Sequence, residues 1–198
     1  GIGDDAAVLK SEAGQLVLIS SDMLLEGIHF DLTYMPLKHL GYKAVAVNVS
    51  DIAAMNAIPK QVTVNLGLSN RFSVEAVEAI YDGIKAAADE YKIDVVGGDT
   101  TSSASGLVIS VSIIGTASEE EVVYRKNARK SDILCVTGDL GAAYMGLQVL
   151  EREKQEFLAN PDMQPKIDQY EYVVGRQLRP RARMDIIHEL RSVGVVPT

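Results

Sequence analysis

Four groups of carboxylates carry the chemistry this sequence could do: Asp4-Asp5, Asp22, Asp51 and Asp99. Each stands where an apolar run ends or where an apolar face is interrupted. Asp5 precedes Ala6–Leu9, Asp22 closes the run Gln15–Ser20 through Ser20-Ser21-Asp22, and Asp99 follows Val95-Val96-Gly97-Gly98. Asp51 lies one turn beyond Val47 on the apolar side of a long helical pattern. A carboxylate at an otherwise apolar position is costly unless a cation or hydrogen-bond donors satisfy it. Lys43, Lys60 and Arg71 are the basic residues near Asp51 in sequence. Oxygen donors with no His/Cys spacing favour a hard ion such as magnesium over zinc. Magnesium bridging phosphate oxygens is what phosphoryl transfer requires. Taken singly, Asp4 and Asp5 also read as turn formers after Gly3, Asp22 as a strand-end turn or helix cap, and Asp99 as an Asx turn. Asp51 fits such an alternative worst, because helix interiors disfavour Asp.

Three further features bear on an anionic ligand. Gly97-Gly98-Asp99-Thr100-Thr101 resembles a phosphate-binding loop in chemistry, with small residues that free backbone N–H groups and hydroxyls that follow. It lacks the Gly-Lys-Ser/Thr ending of the Walker sequence. Arg125, in Tyr124-Arg125-Lys126, offers a planar fork that could clamp a phosphate, and also reads as a surface arginine in a charged stretch. His29 stands near an acidic cluster in Glu26-Gly27-Ile28-His29-Phe30, and the pattern alone gives it no role. No Ser/His/Asp or Cys/His nucleophile constellation is visible.

The elements that must position these residues follow from periodicity. Gln15–Ser20 reads as a short strand. Pro36 opens a helix through Leu37, Leu40, Ala44, Val47, Asp51 and Met55. Residues 61–68 alternate as a half-buried strand, and Ser73 caps a helix that runs to about Tyr91, with Ala76 leaving the capping box incomplete. Ile93–Val96 and Leu107–Thr116 read as strands separated by a polar loop, Gly97–Gly106. This order predicts an α+β fold with a mixed or antiparallel sheet packed against helices. Charge rises around Ser118–Lys130, which places a boundary at residue 117. Beyond it, a strand over Asp132–Thr137, a helix from Gly138 to about Phe157, an exposed loop over Leu158–Pro165 and a helix over 181–192 make an incomplete second α+β domain, residues 118–198.

The composition narrows the partners. The 198 residues are 47% hydrophobic with a net charge of −8, so a packed core is expected and a nucleic-acid partner is not. The single cysteine, Cys135, allows no intrachain disulfide and reads as an inert core residue in a reducing compartment. No apolar run approaches the ~20 residues of a membrane span and no signal peptide is visible, which predicts a cytoplasmic protein.

Several motifs follow one another as they do in thiamine-monophosphate kinases. They are Gly1-Ile-Gly-Asp-Asp-Ala-Ala-Val8, Ser20–Phe30, Gly41–Met55, Val96–Thr101, Arg125–Asp132 and Val136-Thr-Gly138. The wider superfamily, of the aminoimidazole ribonucleotide synthetase type, also holds selenophosphate synthetase and a hydrogenase-maturation dehydratase. The resemblance implies ATP-dependent phosphorylation of thiamine monophosphate to thiamine diphosphate, with several magnesium ions and direct in-line transfer. It implies magnesium ligands at Asp5, Ser20, Ser21, Asp22, Asp51 and Asp99. Gly98, Asp99, Arg125 and, less directly, Tyr91 would touch the nucleotide, and His29 would touch thiamine monophosphate. It further implies an ATP- and magnesium-binding N-terminal domain over 1–117 that pairs into a homodimer, a segment before Gly1, and an Asp-x-Ser-Asp-Gly motif beyond Thr198. Lys126 and Asn127 stand where such kinases have a small residue and glycine. Two alternatives remain: another ATP-using enzyme of the superfamily, and a non-catalytic nucleotide- or metal-binding module.

Overall fold

The computed structural model describes residues 3–11 and 14–197; Gly1 and Ile2 of the first motif, and Thr198, lie outside the described residues. Five strands form one mixed sheet: β1 (Ala7–Lys10), β2 (Leu16–Leu25), β3 (Ile58–Leu68), β4 (Asp94–Ser102) and β5 (Val108–Ala117). Their order across the sheet is β1-β2-β5-β3-β4, antiparallel except for the parallel pair β3 and β4. Helix α1 (Leu37–Ala54) joins β2 to β3, and α2 (Val74–Tyr91) makes the crossover that a parallel β3–β4 pair requires.

Alternation decides which face the helices cover. Leu16, Leu18 and Leu24 of β2, Val62, Val64 and Leu66 of β3, and Ile109, Val111 and Ile113 of β5 are buried against Leu40, Val45, Val49 and Ile52 of α1 and Ile80 and Ile84 of α2. The opposite face, with Ser21, Met23, Asn65 and Ser112, carries no helix among the described residues. The two helices approach closely because Gly41 and Gly83 face each other's backbones. A Cβ at Gly41 would overlap the Ile80 carbonyl, and one at Gly83 the Lys38 carbonyl. Ser73 caps α2 as expected, its Oγ accepting the Ala76 N–H at 3.3 Å.

Helices α3 (Ala142–Ala159), α4 (Glu171–Leu178) and α5 (Met184–Ser192) form the second part of the chain. It docks on the first through specific contacts: Lys43 donates to the Gln177 carbonyl at 3.3 Å, the Ala182 N–H to the Tyr91 hydroxyl at 2.9 Å, and Arg191 to the Asn56 carbonyl at 2.8 Å.

Three expectations are corrected and one strand is added. The polar stretch Gly97–Ser102 is strand, not loop, because the parallel ladder with β3 continues from Gln61 and Asp94 to Leu68 and Ser102. β1 is a strand that sequence periodicity does not reveal. Asp132–Thr137 forms no strand: no partner strand lies beside it among the described residues, and Ile133 and Leu134 stand 88% and 95% exposed. Cys135 in that segment is accordingly exposed rather than a core residue.

Candidate functional site

The site grows from the free edge of β2. Strand β1 begins at Ala7, opposite Ile19, so among the described residues the β2 edge from Ser20 onward has no strand on that side. Helix α1 supplies what a neighbouring strand would otherwise give. Asn48, wholly buried, accepts the Asp22 N–H on its Oδ1 at 3.1 Å and donates from Nδ2 to the Ala44 carbonyl at 2.9 Å. One turn on, the Oδ2 of Asp51 accepts the Ser20 hydroxyl at 2.6 Å. Ser20 and Asp22 share the helix-facing side of β2, two residues apart, which is why both meet α1.

Asp4 and Asp5 enter from the chain ahead of β1 and meet Arg125, in the turn after β5. The Arg125 backbone N–H donates to Asp4 Oδ1 at 2.9 Å, its Nε–H to Asp5 Oδ2 at 3.1 Å, and a terminal nitrogen pairs with Asp5 Oδ1. Of the basic residues near Asp51 in sequence, Lys43 turns to the Gln177 carbonyl and Arg71 to Glu26.

Burial pushes the Asp51 carboxyl above its ordinary range. The Ser20 hydroxyl and the Arg125 charge oppose that rise, and the negative charges of Asp22 and Asp5 add to it. Asp51 therefore feels two other carboxylates here, with the Arg125 guanidinium opposing them. Their donors are all oxygen, the chemistry that suits a hard dication. No group of three His, Cys, Asp or Glu is drawn together closely enough to cage a metal among the described residues.

The remaining expected residues lie apart from this group. Ser21 points to the open face, where its hydroxyl donates to the Val111 carbonyl at 3.2 Å and meets the Ser112 hydroxyl at 2.9 Å. Asp99 falls on the same open face, in the row Met23–Ser110–Asn65–Asp99. It stands about 14 Å from β2, three strand spacings away, and its Oδ1 accepts the Thr100 N–H at 2.9 Å. Gly98 shares the row of Asp22, Val111 and Val64, and a Cβ there would overlap the Val64 carbonyl. The Tyr91 hydroxyl is committed to packing, bonded to Tyr42 at 3.0 Å and to the Ala182 N–H.

His29 is exposed, and its Nδ1 accepts the Leu25 N–H at 3.0 Å, which leaves Nε2 facing outward. It opens on a cleft of about 430 Å³ between the loop after β2 and helix α3, bounded by Phe30, Tyr34, Leu147, Glu151 and Gln177. Two ties close the far wall of that cleft, Tyr34 to Glu151 at 2.6 Å and Lys154 to Asp31 at 2.5 Å. Sequence reasoning assigns no role to Asn48 or to this wall. A polar side chain three residues before Asp51 on an apolar helix is the signal for the first, and the second depends on residues more than 100 positions apart.

Comparison with known proteins bears on these features. The family model described as AIR synthase related protein, N-terminal domain, matches residues 3–117. The chain is 37% identical over 186 residues to the thiamine-monophosphate kinase of Bacillus subtilis (strain 168), covering 94% of this chain and 55% of that protein. It is 36% identical over 192 residues to the thiamine-monophosphate kinase of Aquifex aeolicus (strain VF5), covering 96% and 58%. Among solved structures, AaThiL complexed with AMPPCP and TMP superposes with a TM-score of 0.82 at 35% identity, over 96% of this chain and 57% of that one. The chain thus spans little more than half the length of these relatives. The sheet with its two covering helices, and a match that takes in β1 through β5, place the chain in the AIR synthase related protein family, whose N-terminal domain it carries.

Proposed function

We propose that the protein is a thiamine-monophosphate kinase, transferring the terminal phosphoryl group of ATP to thiamine monophosphate to give thiamine diphosphate and ADP. The observation that carries this reading is the meeting of strand edge and helix, where Asp51 accepts the Ser20 hydroxyl at 2.6 Å and Asn48 of the same helix holds the Asp22 N–H, so that two acids and a hydroxyl share one place. Magnesium at such a place would neutralise the charge of two anionic reactants brought together. The protein's own part is to position and to stabilise charge, with no nucleophilic side chain involved. Asp5, Ser20, Asp22 and Asp51 would hold cations on the helix-facing side. Ser21 and Asp99 would serve further cations or the nucleotide from the open face, Gly98 the nucleotide from the row of Asp22, and Arg125 a phosphate. The outward Nε2 of His29 and the cleft beside it would receive thiamine monophosphate. Tyr91, whose hydroxyl is already bonded to Tyr42 and to the Ala182 N–H, would touch the nucleotide less directly.

The same reading takes residues 1–117 as the ATP- and magnesium-binding domain and 118–198 as the beginning of a second. It pairs two copies through the uncovered sheet face, since an open face with Met23 exposed calls for cover. It places the enzyme in the cytoplasm, where ATP and magnesium are at hand; no helix among the described residues is long and apolar enough to cross a membrane.

The test is Asp51→Asn in the full-length protein, assayed with ATP, magnesium and thiamine monophosphate. Loss of turnover by about 100-fold or more is expected where a charge-stabilising group is removed. Near wild-type turnover would defeat the reading. Turnover with an aminoimidazole precursor and none with thiamine monophosphate would instead favour another ATP-using enzyme of the same family.

A further inference from the structure

Asp5 and Arg125 are each expected to serve the bound nucleotide, one through a cation and the other through a phosphate. In the structure they serve each other. Both oxygens of Asp5 face the Arg125 guanidinium, while the backbone N–H of Arg125 is held separately by Asp4. The main chain at this arginine is thereby anchored, while its side chain is 66% exposed and tied to Asp5. A cation that approaches the occupied carboxylate meets the guanidinium charge as well as the oxygens, so the two compete.

We infer that Arg125 is a latch over Asp5: it holds the carboxylate in the free protein, and a nucleotide phosphate draws the guanidinium away and releases Asp5 to a divalent cation. This rests on the kinase reading and gives the order of events at its site. A phosphate is the stronger partner, because it presents the same two-oxygen edge to the fork and carries more charge. The pairing also accounts for the acids standing short of a metal cage, since Asp5 is turned toward Arg125. Cation and nucleotide must then promote each other's binding by the same factor. Neither binds well alone, which protects the site from holding metal without its substrate.

Manganese(II), titrated into the chain without nucleotide and followed by its electron paramagnetic resonance, tests the latch directly. Arg125→Lys keeps the positive charge and loses the fork. The latch predicts manganese binding about two- to five-fold tighter in this variant than in wild type, the range set by an exposed ion pair. Adding Asp5→Asn should abolish the gain. A simple effect of charge would leave Arg125→Lys unchanged. Equal or weaker binding in Arg125→Lys, or a gain that survives Asp5→Asn, overturns the latch. Asp51→Asn in the same titration judges the site by itself: manganese binding that persists in full there rejects the metal reading, whatever Arg125 does.

Discussion

The Ser20 hydroxyl donates to Asp51 Oδ2 at 2.6 Å, and this bond joins the strand edge to the helix at the centre of the acidic group. It is also the largest influence holding down the raised pKa of Asp51. Ser20→Ala should therefore push the Asp51 carboxyl higher still, an upward shift visible in the carboxyl carbon resonance during a pH titration. Divalent cation binding near neutral pH should weaken, and stability should fall by about 1 kcal/mol. An unchanged Asp51 titration would show that the bond does not form in solution.

The pH dependence of stability has two limbs of opposite sign. Asp31 is held down from 3.8 to about 2, chiefly by its hydrogen bond to Lys154. Its contribution is present above the unfolded value and is lost as pH falls toward 2. Asp51 is raised, so its contribution is present below the unfolded value and is lost as pH climbs through the folded one. Without divalent cations, Asp51→Asn should melt higher than wild type near neutral pH, by less than about 1 kcal/mol because the carboxyl is partly solvated. Magnesium should narrow that difference. Melting curves across the acid range, with and without magnesium, read both limbs.

One of the two ties in the cleft wall beside His29 is a hydroxyl. Tyr34→Phe removes the 2.6 Å bond to Glu151 and leaves the ring in place. A stability loss of about 1 kcal/mol is expected, together with weaker retention of any ligand that fills the cleft. Manganese binding at the acids should not change. A variant that lost manganese affinity would mean that the two regions are coupled in a way the geometry does not provide.

Gly97 and Gly98 are neighbours with opposite tolerance. A Cβ at Gly97 meets nothing within 4 Å, whereas one at Gly98, where φ is +156°, would overlap the Val64 carbonyl. Gly97→Ala should be silent within about 0.5 kcal/mol. Gly98→Ala should detach β4 from β3, seen as faster amide exchange over residues 94–102 while α1 and α2 stay protected. Equal protection of β4 in both variants would contradict the ladder described above.

Much of the scaffold is legible in the sequence because its signals are local. Pro36, Ser73 and the three- and four-residue steps between them and Tyr91 define α1 and α2 without reference to the rest of the chain. The carboxylate at Asp51 stands out for the same reason, as a charge within an apolar helix. What escapes is set by neighbours. Gly97–Ser102 has the composition of a loop and becomes strand because β3 supplies its hydrogen bonds. The run at Asp132–Thr137 has the composition of a strand and stays irregular because no strand lies beside it among the described residues. The division of the expected ligands between two faces follows from register, which no single run of sequence reveals. The meeting of Asp5 with Arg125 joins residues 120 positions apart.

The mutual fit of Gly41 and Gly83 makes the helix pair a rigid splint, and Asp51 is carried on one of its arms. A bulky side chain at either glycine would pry the arms open and displace the carboxylate relative to Ser20 and Asp22, far from the substituted atom. Chemistry at the strand edge is thus hostage to two hydrogen atoms buried between helices, and damage there would masquerade as damage to the acids themselves.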